Sequence, residues 1–274
     1  LGNEAVTISD TTSAANVSGI LSKTSGVVTA TVTSDTAASL NSALTNTTGN
    51  DALTLTVTGT AAATDLTALD GKTSVNVGAT AVTTITGTQA QVVAINVGTI
   101  TTSGNYAVTL SDTSLSAAAI KTVNTQNGTG AIDISSVTTI TSSTAADVLE
   151  IVNNTNSTYT TAANYAVTLS GISSASDVNT IVNDTTGIVT ATVTEATAAS
   201  LNSALANASS TDALTLTLTD TALASADDLI ALDGKTSVTV NAGSVTSVTD
   251  TYADINTLYG LSGIRRIGKE AVAI

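Results

Sequence analysis

Aliphatic residues return along this chain at a nearly fixed interval. The pattern is a small or polar residue, any residue, an aliphatic, any two residues and a second aliphatic. Its first aliphatic falls at Val17, Leu40, Leu66, Val92, Ile120, Val148, Val178, Leu201, Leu229 and Ile255, with gaps of 23 to 30 residues. That divides the chain into ten units of about 26 residues each. Three-residue spacing of the aliphatics, as in Leu66 and Leu69 or Ile255 and Leu258, fits a single helical turn or a short 3-10 segment. Between these turns lie alternating runs such as Val28-Thr29-Ala30-Thr31-Val32-Thr33 and Leu214-Thr215-Leu216-Thr217-Leu218-Thr219. Alternation with β-branched residues predicts strands with one buried face.

A longer period encloses the short one. Asp51-Ala52-Leu53-Thr54-Leu55-Thr56 returns from Asp212 at an offset of 161, and Ala68 to Val75 returns as Ala231 to Val238 at an offset of 163. Six units therefore form a super-repeat, and residues 1–274 read as one continuous array. No unit of this size buries its apolar face alone; stacking gives a shared core. Strands stack about 4.8 Å apart and packed helices about 8–10 Å. With helical segments this short, the expected fold class is all-β: a β-solenoid of about ten coils, each with strands and a short helical turn. Tandem β-sandwich domains are the alternative. Leu1 to Ile8 resembles Ile267 to Ile274, so further repeats, or copies of the chain, are expected beyond both ends.

Composition narrows the chemistry. The chain has no His, Cys, Met, Phe, Trp or Pro, and its only aromatics are five tyrosines. Ser-His-Asp triads, cysteine nucleophiles and thiolate or imidazole zinc sites are excluded, and no catalytic residue is assigned. The net charge of −14 excludes nucleic acid and anionic lipid as main partners. No apolar run is long enough to enter a membrane.

Asp precedes the first aliphatic in five units, at Asp65, Asp147, Asp177, Asp228 and Asp254. A carboxylate there meets the free N–H groups and positive end of a helix. In adjacent units such carboxylates stack, Asp147 on Asp177 and Asp228 on Asp254. Like charges that close call for solvent or a bridging cation, so calcium is the candidate cofactor at these four residues. Arg265-Arg266, the one adjacent basic pair, is a candidate junction to a neighbouring repeat or subunit. Asp70-Gly71-Lys72 and Asp233-Gly234-Lys235 read as turns; the rest of a phosphate-binding loop is missing. Asn-x-Ser/Thr triplets at Asn16, Asn46, Asn127, Asn153, Asn156, Asn183 and Asn207 are candidate glycosylation sites.

The blocks GNEAVTISDTTSAA, ALDGKTSVNVGATAVTTITGT and STAADVLEIV resemble repeats in very large cell-surface and secreted proteins of marine cyanobacteria and related bacteria. The resemblance implies an extracellular protein of surface layers, motility or attachment. The functional expectation is a non-enzymatic structural repeat region: a filament, stalk or surface-layer component whose partners are copies of itself or adjacent repeats end to end. The alternative is an adhesin recognising cell-surface polysaccharide or calcium, for which surface clusters of Tyr with Asp or Asn are the sign. Tyr106 and Tyr165 share the sequence Asn-Tyr-Ala-Val-Thr-Leu.

Overall fold

Each of the ten recurring aliphatics lies in an α-helix, and each is buried. The computed structural model describes residues 2–95, 98–155, 157–267 and 270–273. Its helices are α1 (Ala14–Leu21), α2 (Ala37–Ala43), α3 (Ala63–Asp70), α4 (Gln89–Ala94), α5 (Ala117–Asn127), α6 (Ala145–Val152), α7 (Ala175–Asp184), α8 (Ala198–Ala204), α9 (Ala226–Asp233) and α10 (Tyr252–Leu258). They alternate with strands β1 (Val6–Thr12), β2 (Val28–Val32), β3 (Ala52–Thr54), β4 (Thr56–Ala62), β5 (Val77–Gly87), β6 (Ile100–Thr102), β7 (Ala107–Leu110), β8 (Ser114–Leu115), β9 (Ile132–Ile134) and β10 (Thr139–Ser143). The series continues with β11 (Tyr159–Thr161), β12 (Ala166–Ser173), β13 (Val189–Val193), β14 (Ala213–Thr215), β15 (Ala224–Ser225), β16 (Val240–Asn241), β17 (Ser247–Thr249), β18 (Ile264–Arg265) and β19 (Ala271–Ala273).

The fold is therefore mixed α/β. The expected all-β solenoid is wrong, and so are tandem β-sandwiches, whose sheets are antiparallel. Capping chemistry in front of the aliphatic is the reason. Ser13, Thr36, Thr88, Thr144, Ser174, Thr197, Ser225 and Thr251 are extended, and each side chain accepts the N–H three residues on. Each such cap contributes about 1 kcal/mol. Ala14, Ala37, Ala145, Ala175, Ala198 and Ala226 follow six of them, supplying the best helix former in the first turn. Cap, alanine and aliphatic together extend what looked like one turn into a true helix. α3 follows Ala62 and has no side-chain cap.

Each strand meets its sheet neighbour across a helix-containing connection, which makes the pairing parallel. Val-Thr-Ala-Thr-Val occurs in both β2 and β13, burying its Val and Ala and exposing its Thr. By contacts the chain divides into two compact units. The first comprises Leu1–Thr113, Ala119–Val137 and Asn154–Thr161. It holds a sheet ordered β1-β2-β3 and another ordered β11-β9-β7-β5-β4, with β6 also on β5. The second comprises Ser114–Ala118, Thr138–Asn153 and Ala162–Ile274. Its sheets run β14-β13-β12-β10-β8, β15-β17-β19 and β16-β18. Helices pack in sequence within each unit: α1 to α4 in the first, α6 to α10 in the second. Gly59 and Gly171 lie at register shifts with φ of 75° and 72°, the left-handed backbone that glycine accepts most easily.

Candidate functional site

The polar chemistry of this molecule concentrates where one strand–helix repeat meets the next. In the turn after α3, the buried Thr73 hydroxyl accepts from the Leu53 and Val75 N–H groups at 3.0 and 3.1 Å and donates to the Leu53 carbonyl at 2.8 Å. Thr236, after α9, repeats this on Leu214 and Val238 at 2.9, 3.0 and 2.7 Å. Thr24 and Thr185 donate to the Glu4 and Tyr165 carbonyls, both at 2.6 Å. At the last residue of α5 an amide replaces the hydroxyl: Asn127 Nδ2 donates to the carbonyls of Tyr106 and Gly130.

Two carboxylates serve the same joints. Asp51 is 1% exposed; its Oδ1 accepts the Val28 N–H at 2.9 Å and its Oδ2 the Thr48 N–H at 3.0 Å. Asp212, 3% exposed, does the same for Val189 and Ser209. These bonds satisfy groups whose burial otherwise costs about 1–3 kcal/mol each. Lys72 and Lys235 donate to the carbonyls of Leu44 and Leu205, the C-caps of α2 and α8, where a cation meets the negative helix end. Gly26, Gly130 and Gly187 mark close approach: a Cβ would lie 2.2, 2.0 and 2.3 Å from the carbonyl oxygens of Glu4, Tyr106 and Tyr165.

The sequence-predicted carboxylates stand at the third position of their helices. Asp147 accepts from the Thr144 hydroxyl at 2.8 Å, and the Asp177 N–H donates to Ser174. Asp228 accepts from the Asn202 amide of α8 at 2.8 Å, just as Asp65 accepts from Asn41 of α2. Among the described residues, the acidic cluster tight enough to hold a cation joins Asp254 to Asp227 and Asp250, not to Asp228, with one carboxylate oxygen of each within 4.8 Å of the others. Asp250 was not singled out from the sequence because two of its partners belong to another repeat: it accepts from the Asp227 N–H and the Ser225 hydroxyl there, and from the Thr251 N–H beside it. Asp112 and Asp220 cap α4 and α8 in the same cross-repeat way, through the Gln89 and Ala198 N–H groups. The bond to the Asp227 N–H, then those to Ser225 and Thr251, hold the Asp250 carboxyl below its ordinary pKa. The charges of Asp254 and then Asp250 push Asp227 above it.

No protein-family model, curated protein or solved structure matches this chain. The remaining candidate residues are judged on geometry. Arg265 and Arg266 are exposed; Arg265 pairs with Asn241 through β18 and β16, and Arg266 has a φ of 71°. Tyr106 and Tyr165 are core residues, not members of a surface cluster. The Tyr165 hydroxyl donates to Asp184 at 2.6 Å, and burial, with the Asp184 carboxylate, pushes that phenol far above its usual pKa. Of the glycosylation triplets, Asn127 is fully buried and bound to backbone, Asn156 lies outside the described residues, and the other five are exposed. The joint residues Thr73, Thr236, Asp51 and Asp212 were visible only as parts of the repeated blocks. Their roles depend on backbone groups about twenty residues away, which no local motif announces.

Proposed function

We propose that this chain is a structural repeat region, the body of an extracellular filament, stalk or surface-layer component. One observation carries the reading. The buried polar side chains named above, Asp51, Thr73, Asn127, Thr185, Asp212 and Thr236, all bond the backbone of a neighbouring repeat. Chemistry that an enzyme would direct at a substrate is directed here at holding repeats together. The extracellular location draws support from the resemblance of the repeat blocks to giant surface and secreted proteins, and from the acidic, lysine-poor composition. Electron microscopy of material from the cell surface tests the role. Regular fibres or sheets labelled by an antibody to this chain are expected; dispersed particles would overturn it. Protease shaving of intact cells tests the location: the antigen should disappear without lysis.

A further inference from the structure

We propose that two copies of this chain meet side by side through the outer face of the β14-β13-β12-β10-β8 sheet, one sheet against the other. The inference rests on the scaffold reading and names its lateral contact.

Strand alternation builds the face. β12, β13 and β14 turn Val167, Leu169, Val189, Ala191, Val193 and Leu214 inward and leave Thr168, Thr190, Thr192 and Thr215 exposed. Thr168 lies opposite Thr190, and Thr192 opposite Thr215. Paired strands are about 4.8 Å apart, so these methyl and hydroxyl groups form close rows. Ile188, two residues before Thr190 and on the same side by alternation, is 51% exposed. Ile172 is 72% exposed. The register shift at Gly171, whose φ is 72°, places Ile172 opposite Thr192 where an unbroken ladder would place Ser170.

The isoleucines set this face apart. Threonine alone is an ordinary solvent-facing strand residue. Two isoleucines open to water beside threonine methyls make an apolar patch of the kind that marks an interaction surface. The design recurs at an offset of 161 in the β1-β2-β3 sheet. There Val27, 43% exposed, stands for Ile188, Thr7 lies opposite Thr29, and Thr31 lies opposite Thr54. Asp10 stands for Gly171 and Thr11 for Ile172, so the contact is placed on the uncharged version.

Charge selects the occupant. At a net charge of −14, copies of this chain repel one another. None of the five strands of the sheet carries a charged residue. Acidic side chains resume at Glu195, two residues past β13. A basic partner would be drawn to the acidic turns and helices, not to this face. A second copy finds here an uncharged approach, and its own face offers the same isoleucines and threonine rows. A two-fold contact between identical faces is self-complementary, and sheets packed face to face lie about 10 Å apart.

Sedimentation of residues 1–274 tests the contact. Wild-type chain is expected to dimerise as its concentration rises through the micromolar range. Ile188→Glu and Ile188→Lys should each sediment as monomers, and an equimolar mixture of the two should regain the dimer. Ser203→Glu, at an exposed position of α8, should dimerise like wild type and so separates the face from added charge in general. Circular dichroism establishes that each variant folds; Thr192→Glu and Thr192→Lys replace the Ile188 pair if either loses structure. Wild-type chain that stays monomeric, or a dimer that the folded Glu variant still forms, overturns the contact. Fibres at the cell surface alongside that negative result leave the scaffold reading standing and remove only this face; a dimer without fibres or sheets does the reverse.

Discussion

Residues 3–26 and 164–187 are two versions of one segment, and their internal bonds are nearly the same. Val6 and Val167 each donate to the next repeat at 2.9 Å, to Val27 and Ile188. Ser13 and Ser174 cap their helices, and Thr24 and Thr185 close their turns at 2.6 Å. Their surroundings differ. β10 and α6 cover β12 and α7, so Val167, Leu169 and Ile181 are buried; the equivalent Val6, Ile8 and Ile20 are partly exposed. Buried Tyr165 is replaced by exposed Glu4. A repeat's own residues thus suffice to make its strand, cap and turn, while the adjacent repeat decides which apolar side chains leave water.

Reciprocal exchange at that pair breaks the comparison most sharply. Tyr165→Glu buries a carboxylate beside Asp184 and should cost on the order of 3–5 kcal/mol in urea unfolding. Glu4→Tyr should change stability by about 0.5 kcal/mol or less. Deleting the matched isoleucines comes next. Ile181→Ala should cost about 2–5 kcal/mol, and Ile20→Ala about half as much or less, by the same measurement. The turn threonines then separate hydrogen bonding from burial. Thr185→Val should cost about 1–3 kcal/mol, whereas Thr24→Val, where water reaches the freed groups, should cost about 1 kcal/mol or less.

The smallest effect lies among the carboxylates at the starts of α9 and α10. Asp227 has a raised folded pKa, so the repulsion it adds is present above that pKa and is relieved as pH falls through it. Asp250 has a lowered one, so its contribution is lost as pH falls through its folded value. Asp227→Asn should therefore raise Tm slightly at neutral pH and leave it unchanged in acid below the Asp227 pKa, as read by thermal circular dichroism.

Much of this was legible in the sequence as spacing. The ten aliphatics from Val17 to Ile255 are the helix anchors, and runs such as Val28 to Val32 are strands with alternating burial. The class was misjudged because three-residue spacing looks alike in a turn and in a helix. The distinguishing signal stood four residues upstream, in Ser/Thr caps such as Ser13 and Thr144 with alanine behind them. What the third-position carboxylates bond was not legible for a related reason. A third-position Asp faces its own cap or an amide of the preceding helix, as Asp147 faces Thr144 and Asp228 faces Asn202. Clusters such as Asp227, Asp250 and Asp254 assemble only when a loop of one repeat reaches the helix start of another, a distance in sequence that spacing rules do not span.

Hydrogen exchange at two matched amides puts the stacking principle to its most direct trial. In residues 1–274 the Ala166 N–H, held by Thr138, should exchange slowly and the matched Ala5 N–H fast. Equal exchange rates at the two positions would contradict the account.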